Sequence, residues 1–591
     1  RRRKKSRESK PRAAKVSGHF GRQIIVKGRW VVVGISAAAL VPVLALLLLV
    51  LWMGFWQNGP GEPIVYTLNH YRNIFTDSFT YKTFLNTVGF ATTAVLVSLF
   101  FAVPTAWLVE RTDLPGKNFI FVLVTLGALL PTFFTAMGWV FLLHPRIGIV
   151  NRFFVDLFGL QQAPFNIASI SGMGWVEGLG LSSIAFIMVV ATYRTMDPSL
   201  EEAARVHGLG IFRTLRYVTL PLTFPGVLAA SIYVFTIALS AFEVPAIIGM
   251  SNKIFTFATF IFYKIQPLEE LPSYGVAGAV STVLILLALL LSWSYFRVLR
   301  FSHRYAVVTG KAYQPRLIEL GPKGWLLAWS FLGFYFIVAK LLPFLLLIWA
   351  ALLRYFQPPS WVALSQVSLN NFYGLPWKLM LQGASNTLIL MLTVPTLTLL
   401  ICLAISWTVL RSGLRGRLLF DAVAFLPHAV PHLILAIAAM FATLFLLHNA
   451  FSLYGSLTIL IFVYTISRIS FATRILNNSL AQIHPELEEA AFVGGLKLLQ
   501  VMRKILVPLL KPALVYAWIW MALLCYRELT MASVLVTSQN NVTLPMIVWG
   551  LWLGGSLNQA AAANLVVLAF MLPAVLLYFI FGRRSRVTEV A

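Results

Sequence analysis

The sequence predicts an all-α integral membrane protein, with about 12 transmembrane helices arranged as two parallel, pseudo-symmetric six-helix halves. Three observations predict it: 59% of the 591 residues are hydrophobic and only 11% charged, twelve apolar runs are long enough to cross a bilayer, and short motifs recur at matched places in the two halves. No ordinary core hides so much apolar side chain, which excludes a soluble multidomain enzyme, a disordered chain and a nucleic-acid-binding module. The net charge of +26 would suggest nucleic acid in a soluble chain. Here membrane orientation explains it better. Cys402 and Cys525 lie in separate apolar runs and imply neither a disulfide framework nor a cysteine metal site.

The elements follow in order. Residues 1–30 form a basic cytoplasmic tail with 12 Lys and Arg before Trp30; it touches anionic lipid or simply enforces topology. A helix needs about 20 apolar residues to cross the hydrocarbon. Such runs fall at 31–55, 84–109, 119–143, 178–194, 220–248 and 274–296 in a first half (31–310). They fall at 325–353, 383–410, 420–446, 456–473, 512–537 and 560–581 in a second half (311–591). The first run is too long for the core of a cleaved signal peptide and reads as a retained span. With the tail inside, 36 of the 46 Lys and Arg fall on its side, 8 fall outside, and Lys340 and Arg527 lie within spans. Both termini are therefore expected in the cytoplasm.

The halves repeat. Asn86-Thr87 recurs as Asn386-Thr387, Leu114-Pro115-Gly116 as Leu414-Arg415-Gly416, and Leu130-Pro131 as Leu426-Pro427. Each half has an even number of spans, so the repeats are parallel and related by an axis along the membrane normal.

One cytoplasmic segment occurs twice. Asp197-Pro198-Ser199-Leu200-Glu201-Glu202-Ala203-Ala204-Arg205-Val206-His207-Gly208 aligns with His484-Pro485-Glu486-Leu487-Glu488-Glu489-Ala490-Ala491-Phe492-Val493-Gly494-Gly495 at a constant offset of 287. Nine residues then lead to Val218 and Leu220-Pro221, or to Ile505 and Val507-Pro508. Pro near the start, acidic residues in the first turn and Gly past the end predict a short helix. Ala-Ala gives it a thin face that another protein can approach closely. An ordinary connecting loop is the bland alternative, but two copies with one internal spacing argue against it.

This pattern closely resembles the EAA motif of permease subunits in bacterial ABC importers, and two copies resemble a fused permease. Val218 in place of Ile and Val507 in place of Leu are mild departures. The resemblance implies a type I importer permease fold in the bacterial inner membrane. It also implies a homodimer of ATPase subunits carrying the ATP and Mg, and a periplasmic substrate-binding protein outside. Glu201, Glu202, Ala203, Ala204 and Gly208, with Glu488, Glu489, Ala490, Ala491 and Gly495, are the expected ATPase-coupling residues. Ala241-Phe242-Glu243-Val244-Pro245, Arg527-Glu528-Leu529-Thr530-Met531, the Thr-initiated segments at Thr256 and Thr543, and Tyr66-Thr67-Leu68-Asn69-His70-Tyr71 resemble ferric-iron permeases of the Fbp type. Permeases for thiamine, polyamines, sulfate and aminoethylphosphonate share much of this pattern.

The chain contains no G-x-x-x-x-G-K-[ST] phosphate loop, so energy must come from a partner. Glu243, Arg527 and Glu528 sit toward the external ends of the fifth and eleventh runs, where a charge calls for a functional or paired explanation. They are read as a pathway lining that offers oxygen to a hard cation, or as an ion cluster that holds or gates the halves. Lys340 is expected to snorkel or to have a buried partner. His428 and His432 have i, i+4 spacing, but Pro431 lies between them, so a kinked, polar-lined hinge is expected over a metal site. An ion-driven secondary transporter also fits twelve spans in two halves, but leaves the doubled segments unexplained. A membrane enzyme lacks any nucleophile–base–orienter set.

Overall fold

The computed structural model describes residues 18–57, 65–267, 271–302, 317–446 and 453–589. Most of the predicted tail and the predicted boundary at 310/311 lie outside them. Among the described residues the regular elements are helices, and extended backbone pairs only as two isolated bridges, Trp56 with Tyr66 and Thr112 with Ile318.

The first half contains α1 (Gly18–Met53), α2 (Ser78–Arg111), α3 (Lys117–Leu129), α4 (Thr132–Leu143), α5 (Ile170–Thr195), α6 (Ser199–Val206), α7 (Ile211–Leu239), α8 (Phe257–Ile265) and α9 (Tyr274–Ser302). The second repeats the order as α10 (Gly321–Leu352), α11 (Trp377–Arg411), α12 (Arg417–Ala429), α13 (His432–Leu446), α14 (Leu457–Gln482), α15 (Glu486–Val493), α16 (Leu498–Tyr526), α17 (Leu544–Leu553) and α18 (Leu557–Glu589). Among the described residues nine helices are individually long and apolar enough to cross a membrane, and up to twelve crossings result if each bent pair is one.

The predicted runs 119–143 and 420–446 are not straight spans. Each is two helices, α3 with α4 and α12 with α13, meeting at 93° and 100°. Pro131 and Pro431 cause the breaks: a proline has no N–H to donate, and it pushes the residue before it out of the helical region. Leu130 and Val430 accordingly have ψ of 134° and 126°. The structural counterpart of Pro131 is thus Pro431, not Pro427. The runs 220–248 and 512–537 are also corrected. Their helices begin earlier, at Ile211 and Leu498, and stop at Leu239 and Tyr526. A third bent pair, Pro245–Asn252 with Phe257–Ile265 at 71°, was not among the predicted runs.

Small residues set the closest packing. In α5, Gly174 and Gly178 bring the backbone against α2: a Cβ on Gly178 would lie 2.7 Å from the Ala94 carbonyl oxygen. The Ser98 hydroxyl donates to Gly178 O at 2.9 Å in the space that remains. The opening helix of each half packs on the other half. Helix α1 lies along α11, α12 and α13, where Ser36 and Thr408 share a hydrogen bond of 2.9 Å. Helix α10 lies along α4 and also meets α5 and α2, where the Tyr335 hydroxyl is 2.6 Å from the Ser182 hydroxyl of α5 and the Tyr335 ring stacks on Phe101 of α2.

Candidate functional site

Both repeated segments fold as helices, α6 and α15, between two spans. Each ends as its glycine requires. Gly208 and Gly495 have φ of +83° and +82°, and the next residues, Leu209 and Leu496, donate back to Ala204 O and Ala491 O at 3.1 Å. This closes the last turn with a left-handed residue.

The first acidic residue of each pair does not project. Glu201 and Glu488 are 5% and 4% exposed and face the bundle, so these two of the expected coupling residues are held inside the chain. The Arg111 Nε lies 3.3 Å from Glu201 Oε2, and the Thr219 hydroxyl donates to Oε1 at 2.5 Å. Arg411 Nε donates to Glu488 Oε1 at 2.9 Å, and the Trp407 indole donates to Oε2 at 3.1 Å. The same arginines close the ends of the preceding spans. Arg111 Nη2 donates to Tyr193 O and Met196 O at 2.8 and 3.1 Å, and Arg411 Nη2 to Leu480 O and Ile483 O at 3.0 and 2.5 Å. A cation at a helix C-terminus satisfies orphan carbonyls and opposes the dipole. Each arginine thus ties one span end to one short helix.

Turning that glutamate inward turns the other face out. Ala203, Glu489 and Ala490 are exposed, while Glu202, Ala204 and Ala491 are half-buried. An apolar triad accompanies them: Leu200, Val206 and Phe212 on the first copy, Leu487, Val493 and Leu499 on the second. Val206 and Val493 are 86% and 84% exposed, which no bilayer core explains beside charged neighbours. Sequence reasoning missed the triads and both arginines. The arginines read there only as topology charges, although they recur 300 residues apart.

Each copy is also braced by the opposite half. The Asp113 carboxylate, just past Arg111, accepts from the Leu320 amide at 3.0 Å and the Trp325 indole at 3.1 Å. These hydrogen bonds, led by the Leu320 amide, hold Asp113 below the usual carboxylate range. On the second copy α1 does the bracing, with Gly28 against Leu498.

The predicted pathway residues gather at the broken helices, beyond the ends of α7 and α16. Glu243 accepts from the Thr132 hydroxyl and from Phe133 N–H at 3.2 Å, the positive end of α4. Glu528 pairs with Arg468 at 2.7 Å and lies 3.3 Å from His432 Nδ1 at the start of α13. Thr132 and His432 are repeat equivalents, so each half sets a carboxylate at the head of its second limb. Arg527 and Lys340 reach the carbonyls that end α3; Lys340 has the buried partner expected for it. Arg468, counted as a cytoplasmic charge, instead lies inside α14 at 6% exposure. Glu177, at the edge of a predicted run, is buried within α5. His428 and His432 do not share a helical face, because the 100° corner separates them. His428 stacks on Tyr233 with centroids 5.1 Å apart. Among the described residues no group of three or more His, Cys, Asp or Glu side chains is arranged to hold a metal ion.

A family model, that of the binding-protein-dependent transport system inner membrane component, matches residues 99–302 and again residues 399–587. Each match takes in the proline-broken pair and the anchored short helix of its half. The Fe(3+)-transport system permease protein FbpB 2 of Haemophilus influenzae is 25% identical over 448 residues, 75% of this chain and 79% of its own length. The ferric transport system permease protein FbpB of Actinobacillus pleuropneumoniae is 25% identical over 502 residues, 83% and 69%. The molybdenum transport system permease protein ModB of Escherichia coli is 32% identical over 154 residues, 25% of this chain and 63% of that one. The matches cover most of both halves, and this chain therefore belongs to the binding-protein-dependent transport system inner membrane component family, with two copies of the family's unit in one polypeptide.

Proposed function

We propose that the chain is the permease subunit of an ATP-driven importer that carries ferric iron, delivered by a periplasmic binding protein, into the cytoplasm by alternating access. The observation that carries the reading is the pair of short helices, each fixed by a buried Arg–Glu pair and each presenting the same apolar triad with Ala203-Ala204 or Ala490-Ala491 beside it. Two identical clefts on an ATPase homodimer would meet two matching surfaces. When the ATPase closes on ATP and Mg, the pull enters the bundle through Arg111 and Arg411, because these side chains join each helix to a span end. ATP hydrolysis belongs to that separate subunit, both termini face the cytoplasm, lipid surrounds the spans, and no nucleic acid takes part.

Ferric iron is favoured by the two ferric relatives, which align over most of the chain. The molybdenum relative aligns over a quarter of it, so another small solute is the second reading. Reconstitution into proteoliposomes with the ATPase and the binding protein tests the proposal. Radiolabelled ferric iron should accumulate only with ATP and the binding protein present. Uptake driven by an ion gradient through this chain alone would overturn the importer reading; ATP-driven uptake of a different ligand would overturn only the substrate.

A further inference from the structure

We infer that Arg527, helped by Lys340, is a bolt between the halves, that the first half supplies no matching bolt, and that transport opens the pathway by releasing it. The inference rests on the importer reading and names how that pathway is gated.

Helix α3 ends at the Leu130–Pro131 corner, so its last carbonyls have no following turn to donate to them. The other half supplies the donors. Arg527 Nη1 donates to Ala128 O at 2.7 Å and Leu130 O at 3.2 Å, and Lys340 Nζ donates to Gly127 O at 3.3 Å. Both cations sit at the negative end of that helix, where charge is stabilising. Glu243, from the first half itself, occupies the positive end of α4. The corner is thus closed by its own acid and by its neighbour's bases.

The internal repeat provides the control. Ser240 caps α7 where Arg527 caps α16, and its hydroxyl bonds to Thr236 O within its own helix at 3.0 Å. Ala39 stands three residues before Pro42, as Lys340 stands three before Pro343. The first half therefore has no cation at either place. It meets the other corner with the Tyr233 ring stacked on His428, a contact that can slide. Helices α7 and α16 start beside the short coupling helices, so the bolt lies at the far end of the bundle, where the Gln266 side chain also crosses to Ser533 O at 3.3 Å. Opening on that face has to break these bonds. Mechanically the seam is one-sided: the α3–α4 corner moves with the second half until Arg527 lets go.

The test uses the full complex in nanodiscs, with spin labels at Leu271→Cys and Asn540→Cys, both exposed on the far face, while Cys402 and Cys525 are buried. Without nucleotide, the intact chain should give one short distance and low ATPase activity. Arg527→Ala should add a longer distance and raise ATPase activity without binding protein about tenfold, the scale expected for losing charge-assisted hydrogen bonds. Arg527→Lys, which keeps the charge but loses the planar guanidinium fork, should fall between. Should Arg527→Ala not assemble, Lys340→Met should shift the same two readouts, about threefold in rate. An unchanged distance with unchanged basal hydrolysis would overturn the bolt, as would a fall in basal and stimulated rates together, the mark of a merely structural loss. If the intact complex shows no stimulated hydrolysis, the importer reading fails instead, and the distance shift still decides the bolt.

Discussion

Replacing Glu488 with alanine is expected to free the short helix α15 while leaving the bundle folded. The carboxylate is 4% exposed and holds the Arg411 guanidinium at 2.9 Å and the Trp407 indole at 3.1 Å. Removing one partner of a buried ion pair costs about 3–5 kcal/mol, because the other charge is stranded. The lower end applies, since Arg411 keeps its bonds to Leu480 O and Ile483 O. About 3 kcal/mol is a factor of roughly 10² in a local opening equilibrium. Hydrogen exchange read by mass spectrometry over residues 484–498 should therefore speed up about a hundredfold, with α11 and α14 unchanged. Glu488→Gln, which keeps an acceptor, should show a smaller effect. ATPase stimulation by the binding protein should fall in the same order. Unchanged exchange with lost stimulation would refute the anchor and make Glu488 a direct contact; equal acceleration along the whole chain would refute its local character.

Placing aspartate at both Val206 and Val493 buries a charge at each apolar contact, and should cut co-purification of the ATPase at least about tenfold while membrane insertion stays normal; retained ATPase would remove the triads from the interface. The Asp113 brace should persist above the ordinary carboxylate pKa and be lost as pH falls through the lowered value in the folded protein, below about pH 4, because its folded pKa is the depressed one. A drop in the protection of the Leu320 amide relative to its intrinsic exchange rate at each pH on acidification, absent in Asp113→Asn, checks this. A groove of about 390 Å³ lies between α11, α16 and α18, lined by Ala384 and Ala522, where the first half carries Phe84 and Phe235. Ala384→Phe with Ala522→Phe should fill it and raise the detergent Tm by a few degrees, about 0.5–2 kcal/mol; a lowered Tm would mean that the groove cannot admit the rings.

What the sequence made legible was the local chemistry. Pro198, the acidic first turn and Gly208 specify one helix and its end without help from distant residues, and the structure has that helix at both copies. The corners were half-legible. Pro131 and Pro431 were visible, but an apolar run of span length masks a break, since hydropathy carries no direction. Glu201 illustrates the remainder. Its place in the motif marks it as a coupling residue without giving the direction of its side chain, and only the approach of Arg111, ninety residues earlier, turns it inward. Arg468 shows the converse error: it falls within the predicted run 456–473 yet was counted among the cytoplasmic charges, because its partner Glu528 lies 60 residues on. Pairings of this kind are long-range, and local pattern does not encode them.

The exchange of opening helices has a consequence for biosynthesis. Ser36 leaves the ribosome 372 residues ahead of Thr408, and at about 5–20 residues per second that interval is roughly 20 to 75 s. For that time α1 stands in lipid without its eventual neighbour. Its hydroxyl is not stranded, because Ser36 Oγ also donates to Val32 O at 2.9 Å within the same helix, and a segment that meets its own polar needs can wait in the bilayer. A nascent chain halted before α11 would thus hold an insertion-competent first helix that has α9 to pack on but lacks its partners α11 to α13.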